Sequence, residues 1–128
     1  FDEWKTAYKR LQETVDYIIW LTPIGIRGWD DDAAMQFILE NTKVPSGGTS
    51  DNNVHFALLG KVRIAEEQGW WSGNTVLRIL DGTPPSSIPV VTNKESVIYL
   101  NMQLAKKMDI QFSMELIEKA TFLESEKD

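Results

Sequence analysis

The sequence contains no cysteine and a single histidine, His55. A disulfide framework and a thiolate metal site are therefore excluded. A catalytic triad or a histidine metal cluster has almost nothing to draw on. Basic residues are also scarce: 13 Lys and Arg stand against 19 Asp and Glu, a formal net charge of −6. Gripping a phosphate backbone takes clustered cations, so nucleic acid is not an expected partner, and the acidity is read as serving solubility. No stretch approaches the ~18 apolar residues of a membrane span. The chain opens on Phe1 rather than Met and shows no signal peptide. It reads as a processed chain or an excised piece of a longer one, which leaves export open.

What is present suits one soluble domain: 128 residues, 42% hydrophobic and 25% charged, enough for a real core. The stretch Ala65–Thr92 is the most structured by pattern. Ala65, Gly69, Gly73, Leu77 and Leu80 recur at helical spacing and line one face. Two glycines there cost about 1 kcal/mol each against alanine, so the helix is expected to need close backbone approach to its packing partner. Gly82 is placed for a left-handed cap, and Pro84 and Pro85 keep the helix from resuming. Ile88–Thr92 reads as a short strand. Trp70 and Trp71 are adjacent and project differently, so at least one is expected to be partly exposed. It would mark either a contact with another lobe or chain, or an amphipathic packing position.

Before this stretch, Trp4, Ala7, Tyr8 and Leu11 form the apolar stripe of a helix over Phe1–Glu13. Val15–Leu21 is nearly continuously apolar and predicts a strand buried on both faces. Thr22–Gly28 is a loop by its Pro and Gly residues. Asp30–Asp32 supply a cap and favourable charge for a helix running to about Thr42. A short strand follows in Lys43–Thr49, then a polar loop, Ser50–Asn53. Val54–Leu59 reads as a further strand. Beyond the Asn93–Ser96 loop, Val97–Leu100 is a strand and Asn101 caps a helix with Leu104, Ala105 and Met108 inward. Ile110 and Phe112 pack back. Ser113 caps a last helix that buries Leu116, Ile117 and Ala120, and Glu124–Asp128 is a charged, frayed end. Alternating helices and strands over the first two thirds predict an α/β fold with a mostly parallel sheet.

In such sheets ligands sit outside the carboxyl ends of the strands. Those ends lead into two loops, Thr22–Trp29 and Thr49–Asn53. Candidate ligand-lining residues are Arg27, Trp29, Thr49, Ser50, Asp51 and Asn53. Arg27 suits a carboxylate and Trp29 a stacking face. The competing reading is structural: Asn, Gly and Pro make turns, and Arg27 pairs with Asp30 or Asp31. His55 lies in an apolar segment and is read as a structural imidazole. The three consecutive aspartates lack the glycine and distal glutamate of a calcium loop. Glu66 and Glu67 diverge by about 100° on a helix and do not face one site. Neither Gly25-x-x-Gly28 nor Gly47–Gly48 has the company of a phosphate loop or dinucleotide fingerprint. No catalytic residue, metal ligand or cofactor is assigned.

Arg78–Ile79–Leu80–Asp81–Gly82, Pro85, Ile88–Pro89–Val90 and then Asn101, Ala105 and Ile110 fall in an ordered frame. This frame resembles the C-terminal part of ABC-transporter substrate-binding proteins of the uncharacterised, aromatic-amino-acid-like group. Val15–Leu21, Val44–Thr49 and Phe56–Gly60 resemble the rest of the same lobe. The resemblance implies a three-layer, Rossmann-like lobe of the type I periplasmic-binding-protein kind. The whole of 1–128 would then be a single α/β lobe, the C-terminal one of a two-lobe protein. Its segment 83–128 either completes this sheet or reaches toward the missing lobe. The implied function is binding a small, amino-acid-like solute in an interlobe cleft for a membrane permease, in the periplasm or outside the cell, with a lipid anchor in some family members. It is not an enzymatic function. The alternative is a ligand-sensing or interaction module of a signalling receptor. Some relatives carry an aromatic in the loop that is Ser50–Asn53 here, and its absence speaks against an aromatic amino acid as ligand.

Overall fold

A computed structural model describes residues 1–123; the expectation for Glu124–Asp128 lies outside the described residues. Helix α1 spans Asp2–Thr14 and β1 spans Ile18–Trp20. Helix α2 (Asp31–Asn41) starts where Asp30 Oδ1 accepts from the Ala33 N–H at 2.7 Å, the aspartate cap expected there. Strand β2 is Ser46–Gly48, and β3 is Leu59–Arg63. Helix α3 (Ala65–Leu80), β4 (Ser96–Asn101), α4 (Met102–Lys107), α5 (Met114–Lys119) and β5 (Ala120–Leu123) follow among the described residues. The five strands form one sheet in the order β1-β2-β3-β4-β5, with β1–β2, β2–β3 and β4–β5 parallel. The fold is the expected α/β class with a mostly parallel sheet.

By its internal contacts the chain divides into two compact units: Phe1–Val62 with the chain from Val97 onward, and Arg63–Ser96. In the first, α1 and α2 bury the Ile18 and Trp20 face of β1 under an aromatic cluster. Trp4 lies between Tyr8 and Trp29, with ring centroids 5.4 and 4.8 Å away, and Trp20 and Trp29 both meet Phe56 at 5.4 Å. Such pairs add to what area burial alone gives. Burial also holds the Tyr8 phenol above its ordinary range, against the hydrogen bond it makes to Thr42. Leu104 and Ala105 of α4 close the same core, and Ile110 and Phe112 pack against it.

Four expectations need correction. Val15–Leu21 is not buried on both faces: Tyr17, Ile19 and Leu21 are exposed, because within this chain α1 and α2 cover one side of β1. Val54–Leu59 is a single 3-10 turn (Val54–Phe56), and the strand begins only at Leu59. Its apolar residues are buried by packing rather than by pairing. Ile88–Thr92 is no strand. Val90 is 99% exposed and has no neighbour to pair with, and only a 3-10 turn over Pro85–Ser87 precedes it. Ala120, placed on the last helix, opens β5 instead, its partner being Ile98.

Within Arg63–Ser96, α3 ends in a Schellman motif: the Thr83 N–H reaches the Arg78 carbonyl and the Gly82 N–H that of Ile79, with Gly82 at φ +97°. This is the glycine cap expected from the sequence. The close approach expected at Gly69 and Gly73 is absent, since a Cβ at either would meet nothing. No residue of α3 is buried, and Trp70 and Trp71 are both exposed. At the helix start, the Glu67 carboxylate accepts from the backbone N–H groups of Lys94 and Glu95 and from Asn93 Nδ2.

The N–H of Glu95, then that of Lys94, hold the Glu67 carboxyl below its ordinary 4.5. A depressed pKa means stabilisation that is present above pH 4.5 and lost as pH falls through the folded-state value. The amides of Lys94 and Glu95 are therefore expected to lose hydrogen-exchange protection selectively below pH 4.5. Glu67→Gln should show the same loosening at neutral pH, and protection unchanged by acid or by the substitution would refute the anchor. A second prediction concerns Gly48, where a Cβ would lie 2.9 Å from Val54 Cα and 3.0 Å from Asn53 Oδ1. Gly48→Ala should cost about 1–3 kcal/mol in equilibrium unfolding, and an unchanged midpoint would contradict this packing.

Candidate functional site

The carboxyl ends of β1 and β2 are adjacent because the two strands run parallel, pairing Ile18–Trp20 with Ser46–Gly48. The loop after β1 turns through Gly25 and Gly28, both at positive φ, a backbone state that glycine adopts without steric penalty. The loop after β2 is closed by Asn53, whose Oδ1 accepts from the Thr49 and Ser50 N–H groups at 3.1 and 3.2 Å. Its Nδ2 donates to the Trp20 carbonyl at 3.0 Å. One buried amide thus ties the end of β1 to the turn beyond β2.

The six candidate residues separate into two layers. Arg27, Thr49 and Asp51 are exposed and Ser50 is half-buried. Arg27 forms no ion pair among the described residues, so the proposed pairing with Asp30 or Asp31 does not occur. Its carbonyl instead accepts from the amino terminus of Phe1. Trp29 and Asn53 lie beneath. Trp29 packs edge-on against Trp4 and Phe56 and donates through Nε1 to Asp31 Oδ1 at 2.5 Å. Asn53 is 2% exposed, and both ends of its amide are occupied. The structure therefore brings the two loops together but gives these two residues structural employment.

His55 and Asp31 were not among the candidates yet stand beside these loops. The imidazole is tilted against the Phe56 ring, with centroids 3.8 Å apart, and Nε2 lies 4.0 Å from Asp31 Oδ2. Asp31 is engaged at once by Trp29 and near His55, which accounts for one of the three consecutive aspartates beyond helix capping. Sequence alone offered no signal for this meeting, since His55 and Asp31 come together only where the Val54–Phe56 turn packs on α2. No group of three or more metal-ligating side chains occurs among the described residues.

Between the first loop and α1 lies an apolar recess of about 240 Å³. Thr22, Pro23, Ile26 and Trp29 wall it on one side, and Trp4, Tyr8 and Trp20 on the other. It contains no charged side chain, so it suits packing rather than recognition of an ionic solute. The charged and hydroxylated groups stand at the outer rim, on Arg27 and Thr49–Asp51.

Residues 2–123 match the family described as ABC transporter substrate binding protein, and the chain belongs to that family. No curated protein matches the chain. Three solved structures share the fold. A substrate binding protein with adhesive properties from Clostridium difficile, in its ligand-free, open form, aligns with TM-score 0.63 at 20% identity, over 98% of this chain and 41% of its own. A conserved domain protein from Vibrio cholerae aligns with TM-score 0.62 at 22% identity, over 94% and 40%. The ABC domain from Streptococcus pneumonia in complex with L-Trp gives 0.60 at 18% identity, over 94% and 41%. The chain thus spans about two fifths of the length of these structures.

The division between rim and support makes a stability prediction. Asn53→Asp keeps the acceptor for Thr49 and Ser50 but puts an oxygen against the Trp20 carbonyl, so it should cost about 1–3 kcal/mol. Asp51→Asn, on an exposed residue, should stay within about 0.5 kcal/mol of wild type. Equal effects in denaturant titrations would show that Asn53 is not the tie between the loops.

Proposed function

We propose that this chain is one lobe of the solute-binding component of an ABC uptake transporter, and that its solute is a small zwitterion of the amino-acid class. The observation that carries this reading is the placement of two polar loops at the carboxyl ends of adjacent parallel strands, where open α/β sheets take their ligands. Arg27 offers a guanidinium to a carboxylate. Asp51 offers the complementary charge to an ammonium, with Thr49 and Ser50 as hydroxyl partners. Trp29 and Asn53 serve from beneath, fixing the two loops. The L-Trp complex of the Streptococcus relative supports an amino-acid ligand, while the absence of an aromatic from Ser50–Asn53 favours one without a ring.

The second wall of the cleft comes from the remainder of a longer parent. Parallel sheets are covered on both faces, yet Ile19 and Leu21 of this chain are bare, and so are Trp70, Leu77 and Leu80 of α3. These surfaces are where further chain of the parent would pack, α3 with its Gly69 and Gly73 being suited to a close-packed neighbour. The solute closes the two lobes, and a membrane permease reads the closed state on the periplasmic or extracellular side. Binding and release involve no bond-making step, so the reading is not that of an enzyme.

The test is a thermal-shift screen of the full-length parent against amino acids, nucleosides and small peptides. A ligand at a hundred times its Kd adds about 2.7 kcal/mol of stability. An amino acid should shift the protein, and Arg27→Ala or Asp51→Ala should weaken it about tenfold or more, as expected for a lost hydrogen bond to a charged group. A response confined to another solute class, or full affinity in both variants, would overturn the reading.

A further inference from the structure

The loops after β1 and β2 meet a second time at their exits, where the first enters α2 and the second enters the Val54–Phe56 turn. There the side chains close a circuit. Trp29 Nε1 donates to Asp31 Oδ1 at 2.5 Å, and Asp31 Oδ2 lies 4.0 Å from His55 Nε2. The His55 ring leans on Phe56 with centroids 3.8 Å apart, and Phe56 returns to Trp29 at 5.4 Å. Near neutral pH one member of this circuit changes charge. It is the imidazole of the chain's single histidine, the side-chain type that titrates between about pH 5 and 8.

The surroundings leave Asp31 as its partner. The Val54–Phe56 turn packs on β2, which has no titratable side chain, and on α2, which has Asp31, Asp32 and Glu40. Among the described residues, Asp31 is the one carboxylate within 4.0 Å of the imidazole. Asp30 is occupied by the Ala33 N–H, and Glu40 accepts from Gln36 in the last turns of α2. From the start of α4 the uncharged Asn101 amide reaches the His55 carbonyl. Asp51 stands exposed in the loop ahead of the turn. On the Trp29 side, the amino terminus of Phe1 donates to the Arg27 carbonyl at 3.1 Å, and the Phe1 ring lies edge-on to Trp29 at 5.3 Å. The His55 and Asp31 side chains are 40% and 64% exposed, so both exchange protons freely with solvent.

We infer that Asp31 and His55 form a proton-operated clasp between the exits of the two loops, closed when the imidazole is charged and released when it is neutral. At 4.0 Å the pair makes no hydrogen bond, so charge is what draws the two together. A carboxylate keeps its charge above about pH 4 and an imidazole gains its own as pH falls below about 6.5. The attraction is therefore present between these limits and is lost as pH rises through the imidazole's titration. Closing holds the turn after the second loop to the start of α2, and through Asp31 to Trp29. Regulation of solute affinity by this clasp rests on the proposed function, whereas the clasp itself does not.

NMR titration of the Trp29 indole N–H between about pH 5 and 8 tests the clasp without any solute. The indole resonance should show an inflection that coincides with that of the His55 ring protons. Asp31→Asn should leave the imidazole titrating while the indole no longer responds, and His55→Gln should remove the inflection. A flat indole resonance would overturn the proposal. So would an inflection that survives His55→Gln, since it would belong to the amino terminus of Phe1. In the full-length parent, an amino acid that binds should do so about threefold more tightly at pH 6 than at pH 8, the size expected of an exposed ion pair, and equally at both in His55→Gln. Affinity independent of pH in the unsubstituted parent would overturn the clasp as a regulator of binding. If no amino acid binds, the proposed function fails while the indole titration still decides the clasp.

Discussion

The side chain of Asn53 sets the geometry on which the loops after β1 and β2 depend. Its oxygen holds two N–H groups of the turn after β2, and its nitrogen holds the last carbonyl of β1. Being almost completely buried, this amide would be strongly destabilising if either end were left unpaired. The two loops are therefore fixed to each other as well as to the sheet. The backbone comes so close at Gly48 that a methyl group would strike Val54 and Asn53 itself.

The same device recurs at the other junctions of this unit. Asn101 caps α4 through Oδ1 while its Nδ2 donates to the His55 carbonyl, tying β4 to the 3-10 turn that follows the loop after β2. Gln12 reaches from α1 to the approach of β2. Buried amides suit this work because each carries a donor and an acceptor and no charge to desolvate. At Asn53 and Asn101 both functions are used. At Gln12 only the acceptor is used.

The two ends of the strands consequently offer different chemistry. At the carboxyl ends, rigidly tied loops present one guanidinium, one carboxylate and two hydroxyls over an aromatic support. At the amino ends, helices present Lys9, Arg10 and Lys107, none of which forms an ion pair among the described residues. Under the proposed function a rigid rim is an advantage, since ordering loops on binding would subtract from affinity. The aromatic cluster from Trp4 to Phe56 supplies that rigidity without entering the polar rim. Apolar surface is left bare on the far side of β1 and along α3, as befits a chain that spans about two fifths of the structures it resembles.

By itself the sequence determined what neighbours along the chain decide. Asp30, Asn101 and Ser113 cap helices as read, because a cap bonds to N–H groups two or three residues away. Gly82 stops α3 because only local backbone geometry is at stake. The periodicity of α1 and α3, the α/β class and the family frame from Arg78 to Ile110 were legible for the same reason. Tertiary structure alone decided what distant partners decide. Ile88–Thr92 has strand composition but no neighbouring strand, whereas Ala120–Leu123, with the pattern of a helix end, pairs with β4 and becomes one. Arg27, Trp29 and Asn53 looked alike as candidates in a polar loop. Trp29 met a core, Asn53 met two unpaired strand ends, and Arg27 met solvent. Which residues recognise a solute and which hold the loops in place depends on contacts across dozens of positions in the chain, and no spacing within one loop encodes them.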